Sequence, residues 1–152
     1  MRPGDRAPDF TLPAWTTAGA TELTLAAAQG APVVLAFYPG VDTPVCSRQL
    51  CSYQDDLALL THLGAVLWGI STQDLDSHER FAAKRGLTFP LLSDVDKRVH
   101  TSYGARGLGP LTKRAVVIVD ADGIVRYHHA SQIGLTYKDT DALAAVITGL
   151  SA

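Results

Sequence analysis

The residues of this 152-residue chain best suited by type and placement to do chemistry are its two cysteines, Cys46 and Cys51. Two cysteines are too few for the disulfide framework of a small secreted domain, so each is either a packing residue or a reactive one. Cys46 falls in the first turn of a predicted helix, directly after an apolar run and a Pro39-Gly40 turn. Unpaired backbone N–H groups and the positive end of the helix dipole converge there and stabilise a thiolate. A free thiol titrates near ~8.5, and helix N-termini with neighbouring cations lower that value and raise the reactive fraction at neutral pH. The competing reading is a small buried hydrophobe, the commonest state of a free cysteine. A core cysteine belongs in mid-helix on the apolar face, whereas Cys46 stands among polar turn residues, which favours the nucleophile. Two cysteines at this spacing lack the further close ligands of a structural zinc, and histidines 62, 78, 100, 128 and 129 form no ligand pattern. No metal and no cofactor is expected.

The strands and helices around these residues are readable from hydrophobic periodicity. Residues 32–38, 65–70 and 115–119 are near-continuous apolar runs rich in β-branched and aromatic types, which predicts strands buried on both faces. A helix is predicted over residues 45–63, with Thr43 as N-cap, Pro44 at the first helical position, and Gly64 closing it. Its apolar face is Leu50, Tyr53, Leu57, Leu60 and Leu63. Further helices are predicted over 74–85, ending at Gly86, over 95–103, ending at Gly104, and over 139–150, with Leu143, Val146 and Ile147 inward. A short strand is predicted at 88–92. Residues 114–120 and 124–129 flank the turn Asp120-Ala121-Asp122-Gly123 as a β-hairpin, with His128 and His129 on opposite faces and one of them at solvent. The proline- and threonine-rich start and the Gly104 to Gly109 stretch read as loosely structured. Strands alternating with helices predict an α/β fold, a mixed central sheet flanked by helices in a single domain spanning residues 1–152. Thioredoxin-like folds are built this way.

The stretch from Phe37 to Cys46, with Pro39, Thr43 and Cys46 in order, resembles the peroxiredoxin signature, in which a proline, a threonine or serine and the peroxidatic cysteine stand at these spacings. The continuation Cys46-Ser47-Arg48-Gln49-Leu50-Cys51 is similar to the Q-type peroxiredoxins, or bacterioferritin comigratory proteins, with a second cysteine five positions on and often a glutamine between. The likeness extends to Ala7 through Leu12, to Phe89-Pro90-Leu91-Leu92-Ser93-Asp94, and to Arg114 ahead of the strand ending in Asp120. It implies that Cys46 attacks a peroxide oxygen, that Pro39 shields it from bulk water, and that the Thr43 hydroxyl orients the peroxide. It also implies that Arg114, distant in sequence, supplies a cation beside the thiolate. Each role has physical sense, since a guanidinium both stabilises negative sulfur and donates to a peroxide oxygen as the O–O bond breaks. Taken singly, Thr43 also reads as a helix cap, Pro39 as a strand terminator and Arg114 as a surface charge. Ser47 stands where a threonine often follows the cysteine, and Gly40-Val41-Asp42 lacks a lysine seen in many relatives; these departures are expected to tune rate or substrate preference.

The resemblance further implies that Cys51 captures oxidised Cys46 as an intramolecular disulfide, recycled by thioredoxin or a similar dithiol. In a continuous helix, residues five apart have Cα atoms roughly 8.5 Å from each other. A disulfide needs about 4.4–6.8 Å. The pair therefore bonds only if the first turns unwind. Three alternatives stay open: Cys51 as a packing residue in a one-cysteine enzyme, a redox-sensing module that signals through the disulfide, and a thiol–disulfide oxidoreductase, although the last usually carries two residues between its cysteines.

Composition narrows the remaining classes. The chain is 47% hydrophobic and 18% charged, which excludes disorder. A net charge of −2 without basic runs gives no footprint for nucleic acid or an anionic membrane. No apolar segment approaches the ~18 residues of a transmembrane helix, and no apolar stretch follows the charged start as a signal peptide would. A cytoplasmic protein is expected. No further cysteine is present to bridge subunits and Q-type relatives are commonly monomers, so a monomer acting on hydrogen peroxide and alkyl hydroperoxides is expected.

Overall fold

The computed structural model describes residues 1–38, 44–106, 113–131 and 140–150. The three apolar runs form the middle of a sheet, as β3 (Val33–Phe37), β4 (Val66–Ser71) and β6 (Arg114–Val119). They carry almost no polar side chains because both faces of the sheet are covered, and every residue of β3 is buried. Strands β1 (Thr11–Thr16), β2 (Gly19–Thr24), β5 (Leu91–Ser93) and β7 (Val125–Ser131) complete a seven-stranded sheet among the described residues, in the order β2-β1-β5-β4-β3-β6-β7. Pairing is parallel for β3 with β4 and for β4 with β5, and antiparallel elsewhere, so the expected mixed sheet is present.

Helices α1 (Pro44–Asp55), α2 (Leu57–His62), α3 (Leu75–Arg85) and α5 (Thr140–Leu150) lay apolar residues on one face of that sheet. Leu50 and Tyr53 of α1, Leu60 of α2, Phe81 of α3, and Leu143 and Ile147 of α5 join Val34, Ala36 and Ile118 in one core. The other face is covered by α4 (Arg98–Ser102) and the chain start, with Phe37, Trp68, Leu92, Val99 and Tyr103 in a second core.

The single helix expected over 45–63 is two. Asp56, at φ −103° and ψ 13°, breaks it, and the break escapes the periodicity because Leu57, Leu60 and Leu63 continue to pack on the same core after it. The helix expected over 95–103 begins only at Arg98, because the Asp94 carboxylate turns the chain by accepting from the backbone N–H groups of Val99 at 3.3 Å and His100 at 2.7 Å. The strand expected over 88–92 starts at Leu91, since the Thr88 N–H leaves the sheet to donate to Gln54 Oε1 of α1 at 2.8 Å. The start of the chain, expected to be loose, forms the β1–β2 hairpin, with Pro13 opposite Glu22 and only Leu12 and Ala14 of β1 buried. Helix α3 follows its capping signals, with the Asp74 carboxylate accepting from Ser77 N–H and Gly86 closing the helix at φ 69°. The hairpin of β6 and β7 forms as expected and places β7 at the sheet edge. His128 and His129, of which one was expected at solvent, are both half-buried, and His128 Nε2 donates to the Tyr103 carbonyl at 2.7 Å.

Candidate active site

Strand β3 ends at Phe37, and the chain re-enters described structure at Pro44, where α1 begins. Cys46 is thus the third residue of α1, within the turn whose N–H groups have no helical acceptor. The sheet brings Arg114 to this place: Phe37 pairs with Ala115, so the first residue of β6 lies beside the point where the chain leaves β3 for α1. Arg114 is no surface charge but 2% exposed. Its Nη1 donates to Oε1 of Gln49, also fully buried, three positions after Cys46 in the same helix. Residues three and four apart share a helix face, so positions 46, 49, 50 and 53 form one stripe. Gln49 in turn donates through Nε2 to the Tyr53 hydroxyl at 3.2 Å.

Of the residues singled out from the sequence, Cys46, Cys51 and Arg114 fall on α1 and at the start of β6. Pro39 and Thr43 lie outside the described residues, as do residues 107–109 of the Gly104 to Gly109 stretch. Cys51 is a half-buried free thiol. Both cysteine positions lie within the unbroken span of α1, so the helical separation of roughly 8.5 Å applies to their Cα atoms. The sequence reading did not single out Tyr53 as a polar partner or Gln49 as the acceptor of Arg114. A glutamine on the otherwise apolar stripe of a buried helix is the signal that points to such a partner, because a buried amide must be satisfied.

Beside this network, Tyr38 and His78 form a second buried polar group on the same face of the sheet. His78 Nε2 donates to the Leu92 carbonyl at 3.1 Å, which leaves Nδ1 to accept from the Tyr38 hydroxyl at 3.3 Å. Burial pushes the imidazole down from its ordinary 6.5 to about 4, against the opposing pull of the Leu92 carbonyl and Asp74. The folded chain thus resists protonating His78 while the unfolded chain takes up the proton near 6.5. Its stabilising contribution is complete above pH 6.5 and is lost as pH falls toward 4. A loss of about 2 kcal/mol between pH 7.5 and pH 5 is expected from this group, and urea unfolding at the two pH values should show a smaller difference in His78→Gln than in wild type.

A cysteine in the first turn of a helix, with a buried guanidinium held by the same helix, is an arrangement suited to thiolate chemistry. Residues 3–128 match the AhpC/TSA family. A Mycobacterium tuberculosis protein with a provisional peroxiredoxin name is 39% identical over 130 residues, covering 81% of each chain. The rice chloroplastic peroxiredoxin Q is 35% identical over 148 residues, 92% of this chain and 67% of that one. The crystal structure of the peroxidoxin BcpB from Mycobacterium tuberculosis superposes with a TM-score of 0.87 at 32% identity, over 100% of this chain and 99% of that one. The chain belongs to the AhpC/TSA family, the peroxiredoxins, which are thiol peroxidases, and its fold is thioredoxin-like. Its relatives named peroxiredoxin Q and bcp place it with the Q-type, or bacterioferritin comigratory protein, subfamily.

Proposed function

We propose that this peroxiredoxin reduces hydrogen peroxide and organic hydroperoxides through Cys46 and resolves the product through Cys51. The observation that carries the reading is the buried Arg114 held against Gln49, one turn after Cys46 at the head of α1. The Cys46 thiolate attacks the near peroxide oxygen, the O–O bond breaks, and the far oxygen leaves as water or alcohol after taking a proton. The sulfur is then a sulfenic acid. Arg114 stabilises the thiolate before attack and the charge that develops on the leaving oxygen. Pro39 excludes water from the thiolate and the Thr43 hydroxyl orients the peroxide. The first turns of α1 then unwind, the Cys51 thiol displaces water from the sulfenic acid, and the disulfide forms. Thioredoxin or a similar dithiol returns both sulfurs to thiols by exchange through a mixed disulfide, itself becoming oxidised. The enzyme acts as a single-domain cytoplasmic monomer, which light scattering of the reduced protein and fractionation of producing cells would check.

Intact mass after one equivalent of hydrogen peroxide tests the two-cysteine cycle. Wild type should lose two hydrogens, while Cys51→Ser should gain one or more oxygens and no disulfide. Wild type that gains oxygen without losing hydrogens would make Cys51 a packing residue.

We expect Cys51→Ser to keep the first oxidation step within about three-fold of wild type, since its sulfur enters only after the O–O bond has broken. Multiple turnover with thioredoxin should fall much further.

A further inference from the structure

We propose that Tyr53 is a positioning residue for the peroxidase step, holding the Arg114 guanidinium in place through Gln49. The inference rests on the function proposed above and adds a group that never touches peroxide. Arg114, Gln49 and Tyr53 are connected through two hydrogen bonds, and all three side chains are buried.

The chemistry of the middle residue gives the hydroxyl its task. A carboxamide has an accepting end and a donating end of nearly the same shape, whereas a guanidinium only donates. Gln49 must therefore turn Oε1 to Arg114, and its Nε2 hydrogens then need an acceptor on the other side. The Tyr53 hydroxyl, one turn further along α1 and 3.2 Å from Nε2, is that acceptor. Without it a buried N–H is orphaned, which is costly. The amide relieves that cost by rotating away, and the rotation withdraws Oε1 from the guanidinium or sets donor against donor. Tyr53 thus removes the two-fold ambiguity of the amide. A residue needed at this position only to fill the core would be served equally by phenylalanine, which keeps the ring and lacks the oxygen.

The test uses the full chain in a Cys51→Ser background, where Cys46 is the one thiol. The second-order rate of Cys46 oxidation by hydrogen peroxide and the pH midpoint of Cys46 alkylation by iodoacetamide are measured with Tyr or Phe at 53, each combined with Gln or Met at 49. Tyr53→Phe should slow oxidation roughly three- to ten-fold, the range of one buried neutral hydrogen bond, and move the alkylation midpoint to higher pH. Gln49→Met should cost at least as much, and adding Tyr53→Phe to it should change the rate by less than about two-fold, because the hydroxyl then has no amide to hold. Unchanged rate and midpoint in Tyr53→Phe, or the same loss with methionine at 49, would overturn the proposal. A change in melting temperature alone, with rate and midpoint at the parent values, would also overturn it and leave Tyr53 as a packing residue. If the parent protein does not consume peroxide, the peroxidase reading fails; the alkylation midpoints still decide between a hydroxyl acting through Gln49, which shifts them, and one that does not.

Discussion

Cys46→Ser is expected to lower the rate of hydrogen peroxide consumption by ~10⁴-fold or more, to the background of the uncatalysed reaction. A serine hydroxyl is almost wholly un-ionised at neutral pH and a poor nucleophile toward peroxide oxygen, whereas a thiolate is both ionised and polarizable, and removing a nucleophile costs losses of this order in other enzymes. The substitution exchanges one small atom at the third position of α1. Serine is well tolerated in the first turn of a helix, so the circular dichroism spectrum and melting temperature should stay close to those of wild type. The measurement is peroxide consumed per enzyme with a dithiol reductant in excess. A Cys46→Ser protein that turns over within ten-fold of wild type would remove Cys46 from the chemistry and transfer the burden to Cys51.

Arg114→Met should carry the second largest effect, a loss of about 10²–10³-fold in the rate of Cys46 oxidation, the usual cost of deleting a pre-aimed donor to developing charge. The alkylation midpoint of Cys46 should rise at the same time, because a guanidinium beside a thiolate favours the ionised form. Arg114→Lys should recover only part of the loss: a point charge returns, but the planar fork that can hold Gln49 and address the substrate together does not. The stability of these variants must be read separately. Methionine removes a buried charge, which relieves desolvation, and at the same time deprives buried Gln49 Oε1 of its donor. A melting temperature that moves while the oxidation rate holds would mean that Arg114 serves the core and not the reaction.

Arg114 and Gln49 mark how far the sequence could be read. The strands β3, β4 and β6 were legible because a strand covered on both faces is apolar at every position, a pattern that needs no knowledge of its neighbours. Helix α3 was legible because its limits are set by local chemistry, an aspartate that caps and a glycine that accepts φ 69°. Cys46 and its spacing to Thr43 and Pro39 are local in the same sense, and the resemblance to peroxiredoxins was carried by such short motifs. The β1–β2 hairpin was not legible. Its inward residues are few, Pro13 sits in mid-strand, and β2 is exposed for most of its length, so neither strand repeats an apolar pattern long enough to stand out. The break at Asp56 was hidden for the opposite reason, since the apolar repeat runs through it.

The decisions already present in the chain are therefore local ones: which segments are buried on both faces, where α3 starts and stops, and which cysteine stands at a helix head. Folding in three dimensions is what makes Arg114 meet Gln49 across 65 positions of chain, and Tyr53 present a hydroxyl to the same amide. The physical reason is that a hydrogen bond is specified by the directions of two groups at about 3 Å, and those directions exist only after the antiparallel pairing of β3 with β6 and the packing of α1 on the sheet have brought the groups together.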